Sequence, residues 1–262
     1  MRSLLRAARF EFQKMGPGKT LITATALLLL AQPLSAYIQG AQFAKIGLDA
    51  TPQTYPELAG PIDPPAYLGF DVLPFGEVVV LVYAALLGAA DYRTGELRTT
   101  LLAVNRRPRI LLSKYFSAVS YILSASFLSI YANIAAMQFA VRDSGGIDPF
   151  SLTSDTWRII FLTTLHWTVL GLMSYSIALA SRSWLPPVLV FAPLAIGLGN
   201  MLVDRWSGSA YLPLISGKCL AAIPSKACTA GTPGTATALV VWLVLCLGAG
   251  WLAFSRRDAG AR

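Results

Sequence analysis

Long apolar stretches alternate with short polar, basic or proline-rich ones along the chain. The apolar runs are Thr20 to Gly40, Leu73 to Ala90, Tyr115 to Val141, Ile159 to Ala180, Trp184 to Val203 and Thr237 to Phe254. Each holds about the 20 residues that an α-helix, rising ~1.5 Å per residue, needs to cross a bilayer. The pattern predicts an all-α polytopic membrane protein of six transmembrane helices with both termini on one side, and one transmembrane domain over residues 1–262. The second and last runs are only just long enough. Pro186, Pro187 and Pro193 interrupt the fifth, where proline presets a helix start or kinks a helix interior.

Composition agrees with that reading. Of 262 residues, 55% are hydrophobic and 13% charged, against about 25% charged in soluble domains, and mean hydropathy is +0.58. The net charge of +8 would suit nucleic acid if it were gathered on a soluble domain. It is instead sorted by loop: 15 Lys and Arg fall on the side of the termini, and 6 fall on the other, together with most of the acids. Positive-inside sorting therefore explains the charge, excludes a nucleic-acid partner, and predicts cytoplasmic termini in a plasma membrane.

Residues 1–18 are basic but patterned. At about 100° per residue, Met1, Leu4, Leu5, Ala8, Phe12 and Met15 share one arc, and Arg2, Arg6, Arg9 and Gln13 another. An interfacial amphipathic helix on the inner leaflet, in contact with membrane lipids, fits this better than a cleaved signal peptide, whose removal would delete the first span. Gly16-Pro17-Gly18-Lys19-Thr20 ends like a phosphate-binding loop. The motif's first glycine is Gln13 here, and a membrane span follows, so any ATP hydrolysis belongs to another chain.

The loop between the second and third spans, residues 91–110, is the most informative stretch. Leu97, Leu101 and Val104 recur at i, i+4 and i+7, Glu96 stands near the start, and Asn105 and Pro108 mark a stop. That predicts a short amphipathic helix with an apolar ridge and a basic rim, more than a chain reversal needs. Asp91-Tyr92-Arg93, Leu97-Arg98-Thr99-Thr100-Leu101-Leu102-Ala103 and Arg107-Pro108-Arg109 together resemble the corresponding loop of type-2 ATP-binding-cassette permeases, especially actinobacterial relatives of drug and lantibiotic exporters. The six-span plan and the short tail Arg256-Arg257-Asp258 are similar too.

The resemblance implies a permease domain whose loop forms a coupling helix docked on an ATPase subunit. Two permeases, identical or sister copies, would pair with two ATPases. Glu96, Leu97, Arg98, Leu101 and Arg106 are then the docking candidates. Glu96 stands where relatives usually have threonine, and Asn105 where many have proline. No cofactor is implied on this chain, and ATP and magnesium would sit on the partner.

Ionisable or aromatic side chains inside the bilayer are the substrate-path candidates. They are Glu77, one turn into the second span and expected to reach interfacial water; His166, the sole histidine, expected to bond a neighbouring helix; Tyr83; and Phe191. No nucleophile, base and orienter set and no metal-ligand cluster is spaced for catalysis, so the chain is read as a non-enzyme without a metal site.

Cys246 reads as packing. Cys219 and Cys228 lie in the extracytoplasmic segment 204–236, near enough in sequence to close a small loop in an oxidising compartment. Whether they bond depends on a Cα separation that sequence does not supply. The first outer loop, Ala41 to Phe70, reads as an irregular or partly helical flap. Two other classes remain: a membrane-embedded immunity or scaffold protein, and an ion-coupled secondary transporter depending on Glu77 or His166.

Overall fold

The structure is a computed structural model describing residues 19–58, 60, 62–94, 107–203, 205–221, 228 and 231–256. The expected interfacial helix over 1–18 lies outside the described residues. Among those described there is no strand. Helices α1 (Lys19–Ile46), α2 (Leu73–Thr94), α3 (Arg107–Val141), α4 (Ser154–Ser181) and α8 (Gly231–Arg256) form the frame. Each of these five is long and apolar enough to cross a membrane.

Helix α4 is the hub. Thr153 caps its start by accepting a hydrogen bond from the Thr156 backbone N–H. It packs on α2, α3 and α8, and beyond the exposed Phe161 and Leu165 no face of it is open, from Trp167 through Leu170 and Met173 to Ala178. A helix that is apolar all round belongs at a bundle centre. By contrast α1 and α8 expose Leu30, Leu34, Val244 and Leu252, the outward faces expected toward lipid.

The fifth expected span is not one continuous helix. Helix α5 (Leu185–Pro193) runs into a π-turn at Leu194–Leu198, and the five-residue helix α6 (Gly199–Val203) follows. Gly197 has φ 157° and ψ −22°, a conformation that L side chains resist. Pro193 removes the amide that would have continued the α pattern, so proline and glycine together break the segment.

Boundaries differ from the hydropathy runs at the loop as well. Helix α2 continues through residues 91–94, and Pro108 opens α3 instead of ending a short helix. Helix α3, at 35 residues, is about 52 Å long, well beyond the ~30 Å hydrocarbon core. Of the flap expected over Ala41 to Phe70, the start is helical, because α1 runs to Ile46, and the rest is irregular among the described residues apart from a 3-10 turn at Pro65–Tyr67. It is fastened to α3 by Asn133 Nδ2 donating to the Gly69 carbonyl at 2.6 Å and Gln138 Nε2 donating to the Pro65 carbonyl at 2.5 Å.

The segment after α6 turns back into the bundle. A 3-10 turn, Ser207–Tyr211, leads into α7 (Pro213–Leu220). Trp242, eleven residues into α8, donates its Nε1–H to the Tyr211 carbonyl at 2.9 Å. Gly217 meets His166, twelve residues into α4. The 207–220 stretch therefore sits beside the interiors of α4 and α8, not over their ends. Irregular backbone at that depth is tolerated where protein surrounds it.

Candidate functional site

Glu77 stands one turn into α2 and is 2% exposed. The expectation that it reaches interfacial water is corrected: the side chain is buried, with Gln32 of α1 and Trp167 of α4 packed against the neighbouring Gly76. Its Oε1 lies 3.2 Å from Nε2 of His166, itself 3% exposed. The distance suits a hydrogen bond, yet the alignment does not meet one. Glu77 Oε1 and both ring nitrogens of His166 are left without a hydrogen-bond partner. Proximity and packing hold the pair, and buried polar atoms in this condition are costly.

Two glycines let the surrounding helices close on the pair. Any Cβ at Gly217 would fall on the imidazole of His166, so α7 lies with its backbone against the ring. Gly76, just before Glu77, is wedged between the Gln32 amide of α1 and Trp167 of α4; a Cβ there would come within 2.6 Å of Trp167 Cη2. Small residues of this kind set how closely membrane helices approach.

Gln32 follows a π-turn, Leu27–Ala31, in α1. The turn alters the helix hydrogen bonds, and Ser129 of α3 lies 2.8 Å from both the Leu28 carbonyl and Gln32 Oε1, donating between them. A polar layer thus runs from α3 through α1 and α2 to α4 and α7. It ends where Cys219 and Cys228 are bonded, with Cα atoms 5.4 Å apart. That bond ties the last turn of α7 to residue 228, close before α8 begins at Gly231.

The other sequence candidates fall elsewhere. Tyr83 is six residues past Glu77, about 120° around α2 at ~100° per residue. Its ring packs tilted against Tyr121, with centroids 4.8 Å apart and planes at 47°, and lines a cleft between α1 and α2. Phe191 is buried with Leu81, Leu170, Met173, Leu214 and Cys246, which makes it part of the packing among α2, α4, α5 and α7. Cys246 packs there as expected. The docking candidates Glu96, Leu97, Arg98, Leu101 and Arg106 lie outside the described residues.

The structure therefore brings Glu77 and His166 together, separates both from Tyr83, and adds Gly217, Gly76, Gln32 and Ser129. Gly217 carried one visible signal, a glycine inside a helical stretch, between Ser216 and Lys218. Nothing in the sequence pairs Ser129 with a carbonyl 101 positions away. Among the described residues, no three His, Cys, Asp or Glu side chains gather to hold a metal ion. A scan against protein-family models finds no match, and no curated protein matches the chain.

Proposed function

We propose that this chain is the membrane-spanning permease subunit of an ATP-driven exporter in the plasma membrane. A separate ATPase subunit, carrying ATP and magnesium, would supply the energy from the cytoplasmic side. The observation that carries the reading is the segment between α2 and α3. Its sequence spaces Leu97, Leu101 and Val104 at i, i+4 and i+7 among Arg98, Arg106 and Arg109, and it resembles a coupling loop.

Its neighbours suit a mechanical role. Helices α2 and α3 flank residues 95–106 at the loop end, and the 22-residue α2 carries Glu77 one turn from its opposite end. A push on the loop by a closing ATPase pair would travel along α2 and α3 as rigid rods and bias the bundle between two access states. Two permeases would enclose the path, and the exposed apolar residues Leu189, Val190 and Met201 suit a second copy or lipid. The cargo in this reading is amphipathic or hydrophobic, such as a peptide antibiotic, a drug or a lipid-like molecule, because the bundle offers few charged contacts.

Copurification tests it. The tagged chain, extracted from its own membranes in mild detergent, is expected to bring down an ATPase with a phosphate-binding loop. Leu101→Arg, which places a charge on the apolar ridge, is expected to cut recovery of that ATPase at least about tenfold, equivalent to ~1.4 kcal/mol. If no ATPase accompanies the wild-type chain, the exporter reading fails and the immunity or scaffold reading replaces it.

A further inference from the structure

Glu77 and His166 form a buried ionisable pair that no step of the export scheme uses. Its surroundings are neutral. Helix α1 brings Gln32, α3 brings Ser129, and α4 brings Thr163 and Trp167 on the turn that carries His166. Helix α5 has no charged residue, and the described charge on α8 is Arg256 at its far end. On α7 the charged residue is Lys218, partly exposed beside Gly217, and Cys219 is held in the disulfide. Elsewhere on α2 and α4 the charges cluster near the helix ends, at residues 91–93, 155 and 158.

In such a pocket the proton count decides the net charge. With one proton between them the two groups sum to zero, whether as carboxylate and imidazolium or as carboxylic acid and imidazole. A second proton leaves a cation and the loss of the first leaves an anion, each in a low-dielectric interior with little to answer it. The backbone of α7 lies against the imidazole at Gly217, so a shift of α7 would open the ring to water.

We propose that Glu77 and His166 form a single-proton site, and that the shared proton latches the α7 segment into the bundle. Gain or loss of that proton leaves a net charge that water must solvate, and α7 lifts to admit it. The disulfide to residue 228 acts as the tether, so α7 returns to the same seat. The latch belongs to this chain alone and holds whichever subunit or gradient drives transport.

Because His166 is the sole histidine, the test needs no variant to begin. The full chain, carrying a histidine-free tag and 15N-labelled histidine, is placed in lipid nanodiscs. Imidazole nitrogen shifts are recorded from pH 4 to 9. Backbone amide exchange over 213–220, corrected for intrinsic rates, is followed across the same range. The expected result is a change in the imidazole signal and at least about a tenfold rise in α7 exchange at a common pH. In Glu77→Gln, which keeps the shape but not the charge, the coincidence is expected to be lost. An imidazole signal constant across the range, a transition that leaves α7 exchange unchanged, or an unaltered coincidence in Glu77→Gln would each overturn the proposal.

Discussion

Between α1 and α3 the polar groups that meet are neutral, whereas between α2 and α4 an ionisable pair stands beside a neutral bond, the Ser174 hydroxyl donating to the Leu81 carbonyl at 2.8 Å. Ser129 places its hydroxyl between the Leu28 carbonyl and the Gln32 amide, with both distances at 2.8 Å. Glu77 and His166 lie 3.2 Å apart, poorly aligned, with three polar atoms unpartnered. A hydroxyl shared with a carbonyl keeps the same charge at every accessible pH, so it fastens two helices permanently. An ionisable pair held by packing is stable only while its partners and its proton remain in place. The first contact is therefore a joint, and the second is where this bundle can store two states.

Removing one member of the ionisable pair is expected to do most damage. Glu77→Leu leaves the imidazole without its counter-charge, as His166→Leu leaves the carboxyl, and each should cost about 3–5 kcal/mol. The double variant, apolar on both sides, should recover most of that loss. Thermal unfolding of all four proteins in one detergent reads the cycle. Additive losses in the double variant would mean that the two side chains act separately and that the comparison is wrong.

The close approach at α7 comes next. Gly217→Val forces a side chain onto the His166 ring, and overpacking of that kind costs about 1–3 kcal/mol. Amide exchange over 213–220 should rise in the variant while the α1 and α3 amides stay protected. Uniform loss of protection across the bundle would show that α7 is not a separately movable piece.

The neutral joint should prove the mildest. Ser129→Ala removes one buried donor, at about 1 kcal/mol, and the loss should be equal at pH 5 and pH 8. A Ser129→Ala penalty that varied strongly between those two pH values would place titratable behaviour at the neutral seam and erase the contrast with Glu77.

Hydropathy runs and proline positions made much of the architecture readable without coordinates. A helix satisfies its own backbone hydrogen bonds, so 20 or more apolar residues in a row are enough to specify one in lipid. The runs at Leu73, Tyr115, Ile159 and Thr237 each lie within an observed helix. Pro186, Pro187 and Pro193 marked the segment that breaks, although φ at Gly197 was needed to show where. Cys219 and Cys228 were a reasonable pair on spacing, and the turn of α7 settled it by bringing their Cα atoms to 5.4 Å.

What the chain alone determined is its class: long apolar helices, charge gathered in the segments between them, and a patterned stretch between α2 and α3. What only the tertiary structure decided is which polar groups meet. Glu77 and His166 stand 89 positions apart, and the facing sides of α2 and α4 are too uniformly apolar for periodicity to set their rotation. The glycine at 217 and the wedge at Gly76 fix that rotation through contacts between distant segments. Burial of a carboxyl and an imidazole against each other is a property of how helices pack, and side-chain pattern along one helix carries no record of its neighbour.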